Sequence, residues 1–480
     1  MTIFLYLFLF FSIFIFIKSI LFWTYLWQLK EYRLDRFWAE YGRPSKLIRF
    51  WLFGGGRKFW RPKWTAKATL IILSSLFILI PLILGLLKKT KEEGAIFQLS
   101  LMFLTYLLAP LTTTFLVTLF KIPTFFIKRA IFQKAKGKIV RTKKLIVIGI
   151  TGSYGKSSTK EFLAQILAKK FKVMRTPENV NSEIGVAKFI LNNLSHRKNQ
   201  YIDLRSQYIE KSEVFIVEMG AYKIGEIKRI CEIVKPKIGI LTGINEQHLG
   251  LFGSLENIKK AKFELIESLP PNGLAVFNGE NKYVAEMAGK WEGKKIIYTT
   301  KYEMNTKIRN YEKFPKHYLL NLAGAIEVAK YLGMVDEEIE KAIREIDFTA
   351  KTFKIYTGKN KVLIIDDTYS ANPDGVLAAL DYLGSRLEST KIVIMPCLIE
   401  LGEAASAVHQ KIGRKIKDIS DFAIIITPDY FRDIKKEAGD KALLMKNSGR
   451  IGDFLKNKLN SNTVILLEGR IPQNIIDIVK

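Results

Sequence analysis

Residues 144–158 read KLIVIGITGSYGKSS, and they fix the character of the larger part of the chain. Leu145–Ile150 is a short apolar run rich in β-branched residues, the pattern of a strand buried on both faces. A glycine-rich turn follows, and then TKEFLAQILAKKF (159–171) repeats its apolar positions with helical spacing. Strand, glycine loop and helix together form the setting of a phosphate-binding loop. Backbone amides of Thr151, Gly152, Ser153, Tyr154, Gly155, Lys156, Ser157 and Ser158 would cradle phosphate oxygens at the helix N-terminus. Lys156 would neutralise the β/γ phosphates, and the Ser157 hydroxyl is a magnesium ligand type. The general pattern places a glycine where Ile150 stands, so the match is to the shorter T-G-x-x-G-K-[ST]-[ST] form.

Outward from this loop, composition divides the chain. The 480 residues carry a net charge of +29, yet residues 1–148 hold 24 Lys/Arg against 5 Asp/Glu. The same region contains uncharged runs at Thr2–Ile17, Ala68–Leu87 and Ala95–Phe120. Runs of that length flanked by basic loops predict three transmembrane helices within residues 1–127, and 128–143 reads as a basic juxtamembrane linker. No positive n-region or cleavage site marks the first run as a removable signal peptide. Positive-inside bias predicts a multi-pass protein of the cell membrane, with the lipid bilayer as a partner, an external N-terminus and its catalytic domains in the cytoplasm. Basic charge of this distribution, without a reading motif, argues against a nucleic-acid partner. Cys231 and Cys397 are widely separated and fit a reducing compartment.

From 144 onward, strand and helix patterns alternate, predicting an α/β class with an ATP-binding domain at 144–334 and a second, Rossmann-like α/β domain at 347–480. Strand ends then become candidate site positions. Glu218 closes the apolar run VFIVE (214–218), and His248 follows LTGINEQ (241–247). Both residue types can hold a divalent ion. Cations held between nucleotide phosphates and an attacking anion would suit phosphoryl transfer from ATP.

The ordered set of motifs resembles the Mur ligases, and within them the MurF type. GITGSYGKSSTKEFLAQIL (149–167) resembles that family's phosphate loop, and NVNSEIGVAKFIL (179–191) its asparagine-rich segment, with Asn179 and Asn181 as implied substrate contacts. VFIVEMGAYKIGEI (214–227) and the stretch 241–281 carry the counterparts of a magnesium glutamate (Glu218), a metal histidine (His248) and a lysine that the family carbamylates (Lys262). KHYLLNLAGAIEVAKYLGM (316–334) resembles the adenine helix, with Asn321. VLIIDDTYSANPDGVLAAL (362–380), IELGEAASAVHQKIG (399–413) and LLEGRIPQ (466–473) resemble C-terminal landmarks, implying nucleotide contacts from Asp366 and Asp367 and substrate contacts from His409 and Arg470, with Tyr369 at a further matched position.

The resemblance covers residues 144–480 and implies an ADP-forming acid–amino-acid ligase using ATP and two Mg2+ ions, Lys156, His248 and Lys262 being catalytic. It implies addition of D-alanyl-D-alanine to a muramyl-peptide precursor in peptidoglycan synthesis. Another amide ligase of the superfamily, such as a poly-γ-glutamate synthase, and a non-catalytic ATP-binding scaffold are the rival readings. The pattern departs from the family in several places. The UDP-gripping N-terminal domain has no counterpart, Gly243 stands where the family has asparagine, and Tyr318 replaces a second helix asparagine. The stretch from Thr300 to Lys316 is too short for the usual β-meander, and Lys351 lies near an expected arginine. Oligomeric state is left open.

Overall fold

The computed structural model describes residues 2–41, 60–89, 95–142, 144–193, 212–300, 316–346, 354–368 and 372–480. Tyr369, Lys351 and the stretch between Thr300 and Lys316 lie outside them. The chain forms two compact units, Met1–Ala130 and Ile131–Lys480.

In the first unit the apolar runs are helical, at Thr2–Leu29, Ala66–Lys89 and Ala95–Leu119, with a short helix at Leu34–Tyr41. Their apolar faces are spent partly on one another. Phe16, Ile20 and Leu21 pack with Ile72, Leu79 and Ala109. Trp27 stacks on Phe37 at 3.9 Å beside Trp23, Ile71 and Val117. Among the described residues, no helix is long and apolar enough to cross a membrane. The expected transmembrane segment, lipid partner and membrane localisation are corrected accordingly. Residues Lys121–Arg141 form one helix, and its Ala135 and Ile139 are buried in the core of the second unit.

The second unit holds two six-stranded sheets. The first runs β2(Val173–Arg175), β3(Val214–Glu218), β1(Ile146–Thr151), β4(Ile238–Leu241), β5(Leu274–Asn278), β6(Lys295–Tyr298). Its paired strands are all parallel. Alternation along β1 sends Ile148 and Ile150 to one buried face and Val147 to the other. Helices Lys156–Leu167 and Lys316–Tyr331 cover the first face through Leu163, Ile166, Leu322 and Ile326.

The second sheet runs β11(Ala442–Leu444), β10(Phe422–Ile425), β9(Thr390–Met395), β12(Thr463–Glu468), β8(Leu363–Asp367), β7(Lys354–Thr357). It is parallel except for edge strand β7, which pairs antiparallel with β8. It thus has the helix-flanked parallel sheet expected of the C-terminal domain, with an antiparallel edge added. Fully buried parallel sheets put their loops at the carboxyl ends of the strands, where ligands bind in open α/β folds. The loop at 151–158 and Glu218, Asp366 and Asp367 lie at those ends.

Candidate active site

The loop Thr151–Ser157 leaves the end of β1 at the middle of the first sheet, between β3 and β4. Its conformation depends on glycine. Gly152 has φ 154°, and a Cβ there would stand 2.2 Å from Thr242 Oγ1. Gly155 has φ 78°, with Asn321 Oδ1 filling the space a Cβ would need. Asn321, expected near adenine, is therefore packed directly on the glycine loop. Thr151 Oγ1 donates to Met219 O at 2.9 Å, and Ser153 N to Gly243 O at 2.6 Å, tying the loop to β3 and β4. The ring of Tyr154 lies over Gly243, where any Cβ would come within 2.3 Å of it. That contact explains why glycine occupies this position instead of the family's asparagine. Tyr154 Oη accepts from Asn281 Nδ2 at 3.0 Å.

Lys156 folds back on its own loop, donating to Gly152 O at 2.6 Å and Ser153 O at 3.1 Å. Burial pushes its pKa down, opposed by the charge of Glu218. The next residue, Ser157, donates through Oγ to Glu218 Oε2 at 3.0 Å, and Ser158 follows on the same turn, half-buried.

Glu218 gathers more partners than the sequence suggested. Its Oε1 accepts from Asn181 Nδ2 at 3.0 Å, and its backbone amide donates to Thr176 Oγ1 at 3.1 Å. Lys160 donates to Glu218 Oε2 at 3.1 Å and is fully buried. Burial alone would push the Glu218 carboxyl up. The Lys160 and Lys156 ammonium groups and the hydrogen bonds from Asn181 and Lys160 outweigh it and hold the group below the usual carboxylate value. Asn179 lies two residues before Asn181 in a left-handed turn, φ 61°.

His248 initiates the one-turn helix Leu249–Phe252 with φ 65°, and its ring meets Tyr222 edge-on at 4.8 Å. Its Nδ1 lies 2.5 Å from Glu400 Oε2, a carboxylate from the loop after β9 in the other sheet. Burial lowers the imidazole pKa, and the Glu400 carboxylate works against that shift. Lys262, on the helix Leu255–Glu267, is 3% exposed, with its ammonium 6.0 Å from the Phe252 ring. Burial first, and then the charge of Lys156, lower its pKa to about 7. Lys259 does not contribute as a cationic neighbour, being paired with Glu256 at 2.8 Å and Glu286 at 3.1 Å.

The second sheet joins this region through polar contacts. Asn245 Nδ2 donates to Asn372 Oδ1 at 3.2 Å and Asp374 Oδ2 at 2.8 Å, and its backbone N to Ser153 Oγ at 3.3 Å. Asp366 accepts from Thr368 N and Oγ1 at 3.1 and 2.6 Å, while Asp367 pairs across strands with Glu468. Burial and the neighbouring Asp366 charge raise the Asp367 pKa to about 8, and burial beside Asp367 raises that of Glu468 well above the usual value.

His409 is not brought into this group. It is fully buried, its Nε2 accepting from Leu398 N at 2.9 Å and its Nδ1 facing Ala405 O at 2.6 Å, with Tyr430 stacked on the ring. Both ring nitrogens therefore serve the fold. Arg470 is exposed on the turn after β12. Among the described residues, no group of three or more His, Cys, Asp or Glu is arranged to hold a metal by itself. Any metal here would need the Ser157 hydroxyl and oxygens brought by ligand or modification.

The profile of the Mur ligase middle domain matches residues 150–346, and that of the Mur ligase glutamate ligase domain matches 353–471. A UDP-N-acetylmuramoyl-tripeptide–D-alanyl-D-alanine ligase of Synechocystis is 29% identical over 284 residues, 56% of this chain and 59% of that protein. The protein of the same name from Rickettsia prowazekii is 29% identical over 350 residues, 67% of this chain and 74% of that one. The chain thus spans about three-fifths of the Synechocystis relative. MurF from Acinetobacter baumannii superposes with a TM-score of 0.63 at 23% identity, over 73% of this chain and 80% of that one. MurF from Thermotoga maritima in complex with ADP superposes with a TM-score of 0.60 at 22% identity, over 73% of this chain and 83% of that one. At such identities the structures establish the shared fold.

Proposed function

We infer that this chain, which carries the middle and C-terminal domains of the Mur ligases, is an ATP-dependent ligase joining D-alanyl-D-alanine to the carboxylate of a muramyl tripeptide in peptidoglycan synthesis. One observation carries the reading. A phosphate loop at the end of β1 sets the Ser157 hydroxyl 3.0 Å from a buried, ionised Glu218. That pairing suits a magnesium ion held beside nucleotide phosphates.

The residues fit ATP and Mg2+. The loop amides and Lys156 would hold the phosphates, and Ser157, Glu218 and His248 would hold metal. Bound there, ATP and its metal supply the phosphoryl group that makes a carboxylate oxygen a leaving group, and the positive charge that lets two anions meet. Lys156 gives the loop its own cation. Lys160 and Asn181 keep Glu218 charged and aimed. Lys262, whose amine is half neutral near pH 7, can take up CO2, and the carbamate would offer anionic oxygens to a second ion. Asn321, Asp366 and Asp367 remain proposed nucleotide contacts, and Asn179 and Arg470 proposed substrate contacts.

The test is ADP release by the purified full chain with ATP, Mg2+, UDP-muramyl tripeptide and D-alanyl-D-alanine. Release should require both substrates, and Lys156→Ala should cut kcat by at least about 10²–10³-fold. Release driven by glutamate instead would move the assignment to a poly-γ-glutamate type of ligase. Near-normal turnover by Lys156→Ala would end the ligase reading.

A further inference from the structure

Two residues that contact each other across the two sheet domains share an uncommon backbone conformation. His248 and Glu400 both have φ 65°, in the left-handed region that non-glycine residues seldom occupy. Such conformations persist where the surroundings over-determine them, and they concentrate at functional sites. The surroundings here are tight. Gly250 N donates to Glu400 O at 3.0 Å. A Cβ on Gly250 would stand 3.1 Å from Gly402 N, and one on Gly402 would stand 3.0 Å from Gly250 Cα. The two glycine backbones approach closely, and a side chain on either would be tight against the other. This close approach carries the Glu400 carboxylate to 2.5 Å from His248 Nδ1.

Commitment of Nδ1 to a carboxylate has a chemical consequence for the ring. It makes Nδ1 the protonated nitrogen and Nε2 the one through which the imidazole can ligate a metal. A carboxylate on the far nitrogen also fixes the ring's orientation and raises its basicity as a ligand. The contact joins residues 152 apart in sequence, one following β4 and the other following β9.

We propose that Glu400 is a positioning residue: from the second sheet domain it orients His248 for metal binding, so the metal site of the first domain is complete only when the second is docked on it. The proposal rests on the reading of His248 as a metal ligand. It assigns Glu400 no contact with metal or substrate.

The experiment uses Mn2+ alone as the probe on the full-length, nucleotide-free protein. Continuous-wave EPR gives its dissociation constant, and pulsed EPR detects coupling to an imidazole nitrogen. The wild type should bind Mn2+ with a ring-nitrogen coupling that His248→Ala abolishes. Glu400→Ala should weaken binding about tenfold or more and lose most of that coupling. Glu400→Gln keeps an acceptor oxygen without the charge, and should fall between wild type and Glu400→Ala. A role confined to packing would lower the melting temperature of the variants while leaving the nitrogen coupling and the dissociation constant at wild-type values, and that result overturns the proposal. So does a wild type whose bound Mn2+ shows no ring nitrogen, or that binds no Mn2+. Ligation is scored in a separate assay. Loss of the nitrogen signal in Glu400→Ala with a wild type that does not ligate muramyl tripeptide keeps this proposal and removes only the functional one.

Discussion

The two sheets place carboxyl groups at corresponding points and treat them in opposite ways. Glu218 ends β3 in register with Ile150 of β1, and Asp367 ends β8 in register with Glu468 of β12. All three stand at the carboxyl ends of parallel strands, Glu218 and Glu468 buried and Asp367 half-buried. Around Glu218 the chain supplies two lysines, a serine hydroxyl and an asparagine amide, and the group stays ionised. Around Asp367 it supplies two further acids, Asp366 and Glu468, and the pair retains a proton far above the ordinary carboxylate range. Burial pushes both sites toward neutrality, so the neighbours decide the charge. A carboxylate kept charged is ready for a metal. A pair sharing a proton carries one negative charge instead of two at the strand end.

The sharpest way to break this contrast is to remove the cation from the first site. Lys160→Met leaves Glu218 buried without its closest ammonium, and unpairing a buried charge costs about 3–5 kcal/mol. A large fall in stability by chemical denaturation is expected, together with loss of metal binding as Glu218 takes up a proton. Adding Glu218→Gln should recover much of the stability and none of the activity. If Lys160→Met alone is as stable as the wild type, the lysine is not what keeps Glu218 ionised.

A smaller effect is expected at Lys262, a buried cation that feels the charge of Lys156 in the same region. The neutral amine needed for carbamylation is the minor form below about pH 7 and the major form above it. Activity that depends on CO2 should therefore fall as the pH drops through about 7, and 13C-bicarbonate should give a carbamate resonance on the wild type alone. Lys262→Ala should lose on the order of 10²-fold in kcat, as for a removed electrostatic group. Short carboxylates such as acetate should restore part of it. A fully active Lys262→Arg would show the residue to be a plain buried cation.

These contrasts also mark what the sequence could and could not disclose. The strand, glycine turn and helix at 146–167 were legible because glycines at fixed short spacing separate two clear apolar patterns, and Glu218 because an apolar run that ends in an acid marks a strand end. Lys160 was misread. Helical spacing puts it one turn beyond the loop, and only the fold shows its long stem bringing the ammonium back to Glu218. The low pKa of Lys262 comes first from burial and then from Lys156, more than 100 residues away. Glu400 reaches His248 across a similar distance in sequence. Charges paired through the fold leave no local pattern. The N-terminal runs were legible as helices and misread as spans, because apolar length alone does not separate a membrane span from a helix that packs within its own unit.

The smallest effect tests the second half of the comparison. If Asp367 and Glu468 hold a proton in the folded protein that the unfolded chain releases near pH 4, the native state binds more protons than the unfolded one between that pH and about 8. The sign follows from linkage: stability falls as pH rises through that window, and the contribution is fully present only below the unfolded pKa. Glu468→Gln removes one acid and keeps a group able to hydrogen-bond. It should flatten the decline, leaving the variant more stable than the wild type at pH 8 by on the order of 1 kcal/mol, the worth of about one pKa unit. At pH 4 the two should differ little. Urea melts across pH 4–8 give the two curves, and parallel curves would mean that the pair carries no extra proton. The same variant measured for ADP release would show whether that proton matters to nucleotide contact. Unchanged kcat with a flattened stability curve would assign the pair to the strand end alone, and Asp366 would be left as the acid facing the nucleotide.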